Sequence, residues 1–204
     1  PPPPPPPPVV VPPPFVSVAF GPFGEVIEIV NSAGQLTQFD ASGAHLLGGG
    51  VRAASVAFNG GSEVLLVTAQ SGALIQFDAA GAHLLTASGV LDASVAFGPF
   101  GEVVEVVNPA GVLTQFDATG AHTLGGGVRS ASVAFNGGSE VLLETTQSGV
   151  MIQFDAAGAH TLQAGVLSAG VAFTPFGEVV DAIFQDGSLF QFDAFGAHRL
   201  GMIS

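Results

Sequence analysis

Along this chain large apolar residues alternate with small or polar ones over short stretches, and each stretch ends at a cluster of Gly, Pro, Asn, Ser or Asp. Val16-Ser17-Val18-Ala19-Phe20 alternates large and small and meets Gly21-Pro22-Phe23-Gly24, which predicts a strand and a turn. Glu25 to Val30, rich in Val and Ile, predicts a second strand, closed by Asn31-Ser32-Ala33-Gly34. Gln35 to Asp40 predicts a third, and Asp40-Ala41-Ser42-Gly43 the next turn. A fourth begins at His45 to Leu47, ahead of Gly48-Gly49-Gly50. An amphipathic helix needs ten or more glycine-free residues at a period of about 3.6, and no segment provides them. The pattern therefore predicts an all-β protein.

These four strands recur. Gln-Phe-Asp-Ala-x-Gly-Ala-His occurs five times, with its phenylalanine at Phe39, Phe77, Phe116, Phe154 and Phe192, a period of about 38 residues. Such a period marks stacked units that bury their core between neighbours. The third strand is apolar on both faces, Leu36 against Thr37 and Phe39, and so needs cover on both sides, which radially stacked blades supply. The first strand offers Ser17 and Ala19 on one face, small enough for the crowded axis of a propeller. The expected fold is a five-bladed β-propeller of four-stranded blades over residues 15–204, after a Pro-rich tail at 1–14; an open β-solenoid of the same repeats is the alternative. A second period overlies the first. Units one and three share Val-Ala-Phe-Gly-Pro-Phe-Gly-Glu, units two and four share Ser-Val-Ala-Phe-Asn-Gly-Gly-Ser-Glu, and unit five is of the odd type, so closing the ring sets two odd blades side by side.

The phrases Ser17-Val18-Ala19-Phe20-Gly21-Pro22-Phe23-Gly24 and Gln38-Phe39-Asp40-Ala41-Ser42-Gly43 resemble the first-strand and third-strand phrases of WD-repeat β-propellers. Phe39 stands where that family usually has Trp. With five blades, the resemblance also implies a shape similar to the tachylectin type of lectin.

Composition narrows the function. Three arginines stand against sixteen acidic residues, and lysine is absent, so the basic stripe needed for nucleic acid does not exist. Only 9% of residues are charged, few for the surface of a soluble monomer, which points to apolar surface meeting another subunit. No apolar run approaches the roughly 18 residues of a membrane helix, and the Trp and Tyr girdles of a transmembrane barrel, the remaining way to cross, are absent, so no membrane span is expected. There is no cysteine, and no cofactor motif: Gly48-Gly49-Gly50 and Gly125-Gly126-Gly127 lack the following lysine and helix of a phosphate loop. The Ala, Gly, Val and Leu excess suggests a bacterial source. The sequence opens on proline, which fits a processed chain or a piece of a longer one; eight prolines favour an extended polyproline II rod, and Val9, Val10 and Val11 beside them are candidates to add a strand to a sheet edge.

Counting along the hairpins places Glu25 opposite Asp40, and Asp40 opposite His45, so that one end of each blade carries a Glu, Asp, His row. The row recurs as Glu63, Asp78, His83; Glu102, Asp117, His122; Glu140, Asp155, His160; and Glu178, Asp193, His198. Such a set has the donors for a hard or borderline cation. The structural reading, in which Asp closes its own turn and His packs beside it, is preferred, and no metal is assigned. No catalytic residue is assigned either, because a catalytic triad needs one privileged nucleophile in a strained turn, whereas every polar group here repeats. Phe23, Phe100 and Phe176 follow Pro in turns and are expected to be covered by another subunit. The expected function is a non-enzymatic structural protein that assembles with copies of itself, as an extracellular fibre or surface layer. The alternative is a multivalent propeller binding carbohydrate or protein, although sugar platforms favour the Trp and Tyr this chain lacks.

Overall fold

A computed structural model describes residues 13–203. Among them lie five four-stranded antiparallel sheets, each a meander in chain order, and no helix. The blades span 15–48, 51–86, 92–125, 128–164 and 166–202. In blade 1 the strands are Phe15–Gly21, Gly24–Val30, Leu36–Asp40 and Gly43–Gly48, from axis to rim. The protein is a five-bladed β-propeller, and no helix among the described residues is long and apolar enough to cross a membrane.

The ring is closed, which sets aside the open solenoid. Each innermost strand is tied to the next by a backbone N–H donating to a side-chain oxygen. Val56 donates to Ser17 Oγ at 3.3 Å, Val95 to Ser55 at 3.2 Å, Ala131 to Asp92 Oδ2 at 3.0 Å, Val171 to Ser132 at 3.1 Å, and Val16 to Ser168 at 3.2 Å. The last joins blade 5 to blade 1. Small side chains at the axis let the strands converge until the central cavity holds only about 10 Å³, with room for at most one water.

Two adaptations make the seam. Where the other blades carry Ser17, Ser55, Ser94 and Ser132, blade 5 has Gly170, and a Cβ there would stand 2.9 Å from Ser17 Cα. At the other four interfaces, Val51, Val90, Val128 and Val166, just ahead of or at the start of the inner strands, each donate an N–H to the turn glycine of the preceding blade. The residue at this position in blade 1 is Pro13, which has no N–H. Ile203, from the C-terminal end, donates to Gly187 at 2.8 Å instead.

The core lies between blades rather than within them. On the second strand of blade 1, Ile29 packs with Val16, Ile183 and Leu189 toward blade 5, whereas Val30 packs with Val51, Ala53 and Val67 toward blade 2. Alternating residues thus serve opposite neighbours, which is why both faces of these strands had to be apolar.

Candidate functional site

In a meander the first and third turns of every blade lie at one end of the ring and the second turn at the other. The end with the first and third turns collects the repeated acidic row. There each Asp closes its own turn: Ser42 N–H donates to Asp40 Oδ1 at 2.7 Å, Ala80 to Asp78 at 2.8 Å, Thr119 to Asp117, Ala157 to Asp155 and Phe195 to Asp193 at 2.7 Å each. The hydroxyl and N–H of Ser42 hold the Asp40 carboxyl below its usual range, and those of Thr119 do the same for Asp117. For Asp78, Asp155 and Asp193 the turn N–H is the main cause. The histidines lie alongside, with Nε2 of His45, His83, His122, His160 and His198 at 3.2–3.5 Å from the Asp of the same turn. His45 stands opposite Gln38 and reaches Asp40 diagonally; Asp40 is paired with Gly43.

The expected alignment of Glu25 with Asp40 is corrected by the register. The second strand pairs Ile27 with Phe39, so Glu25 lies beyond the end of the third strand and is opposite Phe20. Its side chain points across the interface, where Gln191 of blade 5 donates to Glu25 at 2.7 Å. Gln38 donates likewise to Glu63 at 3.0 Å, Gln115 to Glu140 at 2.8 Å and Gln153 to Glu178 at 3.3 Å. Glu102 differs, because Gln76 turns to Asp78 instead, and one Glu102 oxygen is buried without a partner. The row therefore runs between blades, with Glu from one and Gln, Asp and His from the blade before it. Among the described residues no group of three such side chains converges at metal-ligand spacing.

A second set of acids went unseen in the sequence. Glu28, Glu105 and Asp181 sit mid-strand in blades 1, 3 and 5, are all but fully buried, and have both carboxyl oxygens unpartnered. Burial, then the nearby Glu63 carboxyl, pushes Glu28 up to about 8, with the Gln38 amide acting the other way. Burial and Glu140 push Glu105 up to about 8, and burial and Glu25 push Asp181 up to about 7. Asp92, at the axis, is pushed up to about 7 by burial. The available signal was an acidic residue inside an apolar run, Val26-Ile27-Glu28-Ile29-Val30.

At the same end as the acidic row, Phe23 and Phe100 are 89% exposed and Phe176 82%. Blades 2 and 4 have Gly60-Gly61 and Gly137-Gly138 in the corresponding turns. Phe195, 83% exposed, joins them from the third turn of blade 5, where the other blades have Ser42, Ala80, Thr119 and Ala157. It was legible as a break in the repeat. Val9, Val10 and Val11 lie outside the described residues.

Open grooves run between the outer parts of blades 1 and 2 and of blades 4 and 5. The one between blades 1 and 2 encloses about 610 Å³, with Gln38, Glu63, Phe77 and Asp78 in its wall and Gly48 to Gly50 beside it. The outer strand of each blade is exposed and carries leucines such as Leu46, Leu47, Leu84 and Leu85. No protein-family model matches this chain, and no curated protein matches it.

Proposed function

We propose that this propeller is a non-enzymatic building block that associates with copies of itself, head to tail, as a fibre or surface layer outside the cell. One observation carries the reading: four phenylalanines 82–89% exposed at one end of the ring, a set of solvent-facing aromatic rings unusual for a monomer in water. The charge distribution supports its polarity. That end holds the Glu and Asp of every blade's row, two per blade and so ten of the sixteen acidic residues. Two such ends facing each other would repel. The opposite end carries Arg52 and Arg129, whose guanidinium groups rest on the carbonyls of Gln70 and Gln147 at 2.9 Å and 2.7 Å. Head-to-tail contact brings unlike charges together, and a heterologous contact that does not close grows into a filament. Against catalysis stands the fivefold repetition of the polar groups, each Asp being engaged within its own turn.

Light scattering and negative-stain microscopy on the full chain and on the Phe23→Ser/Phe100→Ser/Phe176→Ser variant test this. Concentration-dependent particles that the variant loses are expected, and an unaltered monomer of about 20 kDa in both samples sinks the reading. A second reading has its own support in the inter-blade grooves, where Phe77 lies beside Gln38, Glu63 and Asp78. With a further groove between blades 4 and 5, more than one shallow site per ring suits multivalent binding of carbohydrate or protein, as in propellers of the lectin type. A glycan array is its test, with no retained glycan as the outcome that ends the carbohydrate version.

A further inference from the structure

Blade 5 breaks the repeat in its outer half. At the position of Phe184 the other blades have Asn31, Ala69, Asn108 and Thr146, and at the position of Phe190 they have Thr37, Ile75, Thr114 and Ile152. Together with Phe192, present in every blade, these residues form an aromatic cluster found in no other described blade. Phe184 meets Phe190 edge-on at 5.6 Å, and Phe190 stacks on Phe192 at 6.3 Å and 29°. The strand pairings Ala182 with Phe190 and Val180 with Phe192 put all three on the face turned toward blade 4. There they wall a groove of about 490 Å³ that also presents the side-chain amides of Gln163 and Gln185. A second cavity of about 410 Å³ shares Gln163 and Phe192 with it, so the groove continues toward the acidic end of the ring. Asp186, the acid in its wall, is committed to its own turn by Ser188, whose N–H and hydroxyl it accepts at 2.9 Å and 2.5 Å.

Stacked aromatic faces with amide donors suit one backbone chemistry in particular. An oligoproline offers flat pyrrolidine faces and free carbonyl acceptors, has no N–H to satisfy, and loses little entropy on binding because its conformation is preset. This chain carries such a segment in Pro1 to Pro8. We propose that the groove between blades 4 and 5 is the receptor for the oligoproline segment of a second copy, a proposal that rests on the head-to-tail reading. The source follows from where the described chain starts. Pro13 leads into the innermost strand from the end that carries Arg52, the end that faces the next copy. Of the six residues between Pro8 and Phe15, Pro12, Pro13 and Pro14 have fixed φ, so this sequence resists doubling back to its own groove. At roughly 3.1 Å per residue, the twelve residues before Pro13 span up to about 37 Å, enough to cross to a neighbouring ring.

The test is titration of the full chain into fluorescein-labelled octaproline, read by anisotropy, with light scattering on the same samples. Saturable binding is expected, weakened tenfold or more by Phe190→Thr, which restores the residue of blades 1 and 3, and retained by Phe190→Tyr. Circular dichroism verifies that both variants keep the fold. Binding indifferent to Phe190→Thr, absence of binding, or uptake of chitotriose in place of octaproline overturns the proposal. If those results come with particles still seen by scattering, the head-to-tail reading survives without this groove. Octaproline binding by a chain that stays monomeric overturns both the head-to-tail reading and the second copy as source.

Discussion

The five blade interfaces are of two kinds, distinguished at one repeat position. Between blades 1 and 2, 3 and 4, and 5 and 1, that position holds Glu28, Glu105 and Asp181; between blades 2 and 3 and blades 4 and 5 it holds Leu66 and Leu143. Each is central in its second strand, opposite Ser17, Ser94, Gly170, Ser55 and Ser132 respectively. The neighbours on the third strand are also alike, Gln38, Gln115 and Gln191 against Gln76 and Gln153. Leucine fits this environment without penalty. A carboxyl buried there without a hydrogen-bond partner is tolerated by keeping its proton, which makes three of the interfaces more sensitive to pH at this position than the two that hold leucine.

The largest expected effect is therefore that of pH on the whole ring. Glu28 and Glu105 have folded pKa values near 8 against an ordinary 4.5, and Asp181 near 7 against 3.8. Below the ordinary values both folded and unfolded chains are protonated and burial is unopposed. As pH rises toward 7 and 8 only the unfolded chain ionises, so stability is progressively lost. The turn aspartates, lowered instead, give stability that is already complete by pH 5 and do not contribute in this window. Urea unfolding at pH 5 and pH 9 is expected to differ by several kcal/mol, and the Glu28→Leu/Glu105→Leu variant should flatten that slope. An equally steep slope in the variant would show that these carboxyls are not the cause.

At the leucine interfaces, Leu143→Ala opens a cavity and should cost about 2–5 kcal/mol, with no pH dependence of its own. Glu28→Leu alone should stabilise by about 1–4 kcal/mol at pH 9 and by less at pH 5, where only the neutral carboxyl is replaced, since it places at the first interface what the second already has. Gly170→Ser, which restores the serine of the other four blades, should destabilise by about 1–3 kcal/mol, because the new Cβ meets backbone across the seam. A neutral result would mean that the seam relaxes freely. Smallest is Asp78→Ala, expected to lower the urea midpoint only slightly through the lost turn hydrogen bond from Ala80, and a midpoint that does not move would show that the turn closes without it.

Much of the fold could be read directly. The strand expected at Val16–Phe20 is Phe15–Gly21, and that expected at Glu25–Val30 is Gly24–Val30, since glycines and prolines mark turns wherever they fall. The turn role of the aspartates was equally local, depending on residues two positions away. The row built on Glu25 departs from the count along the hairpins because Glu25 lies beyond the end of its neighbouring strand and its side chain meets the blade before it instead. Phe195, Phe184 and Phe190 stood in plain view as breaks in a repeat, but nothing local says whether such a break faces water, a groove or the core.

By itself the sequence determined five four-stranded units, their turns, and the alternation of odd and even types, because these depend on φ preferences and on the period-2 placement of side chains. Only the tertiary structure decided that the ring closes, that Gly170 and Ile203 adapt its seam, and that the acids of one blade answer to the amides of the one before. Those outcomes depend on distances between residues from 16 to 166 positions apart, which no local rule specifies.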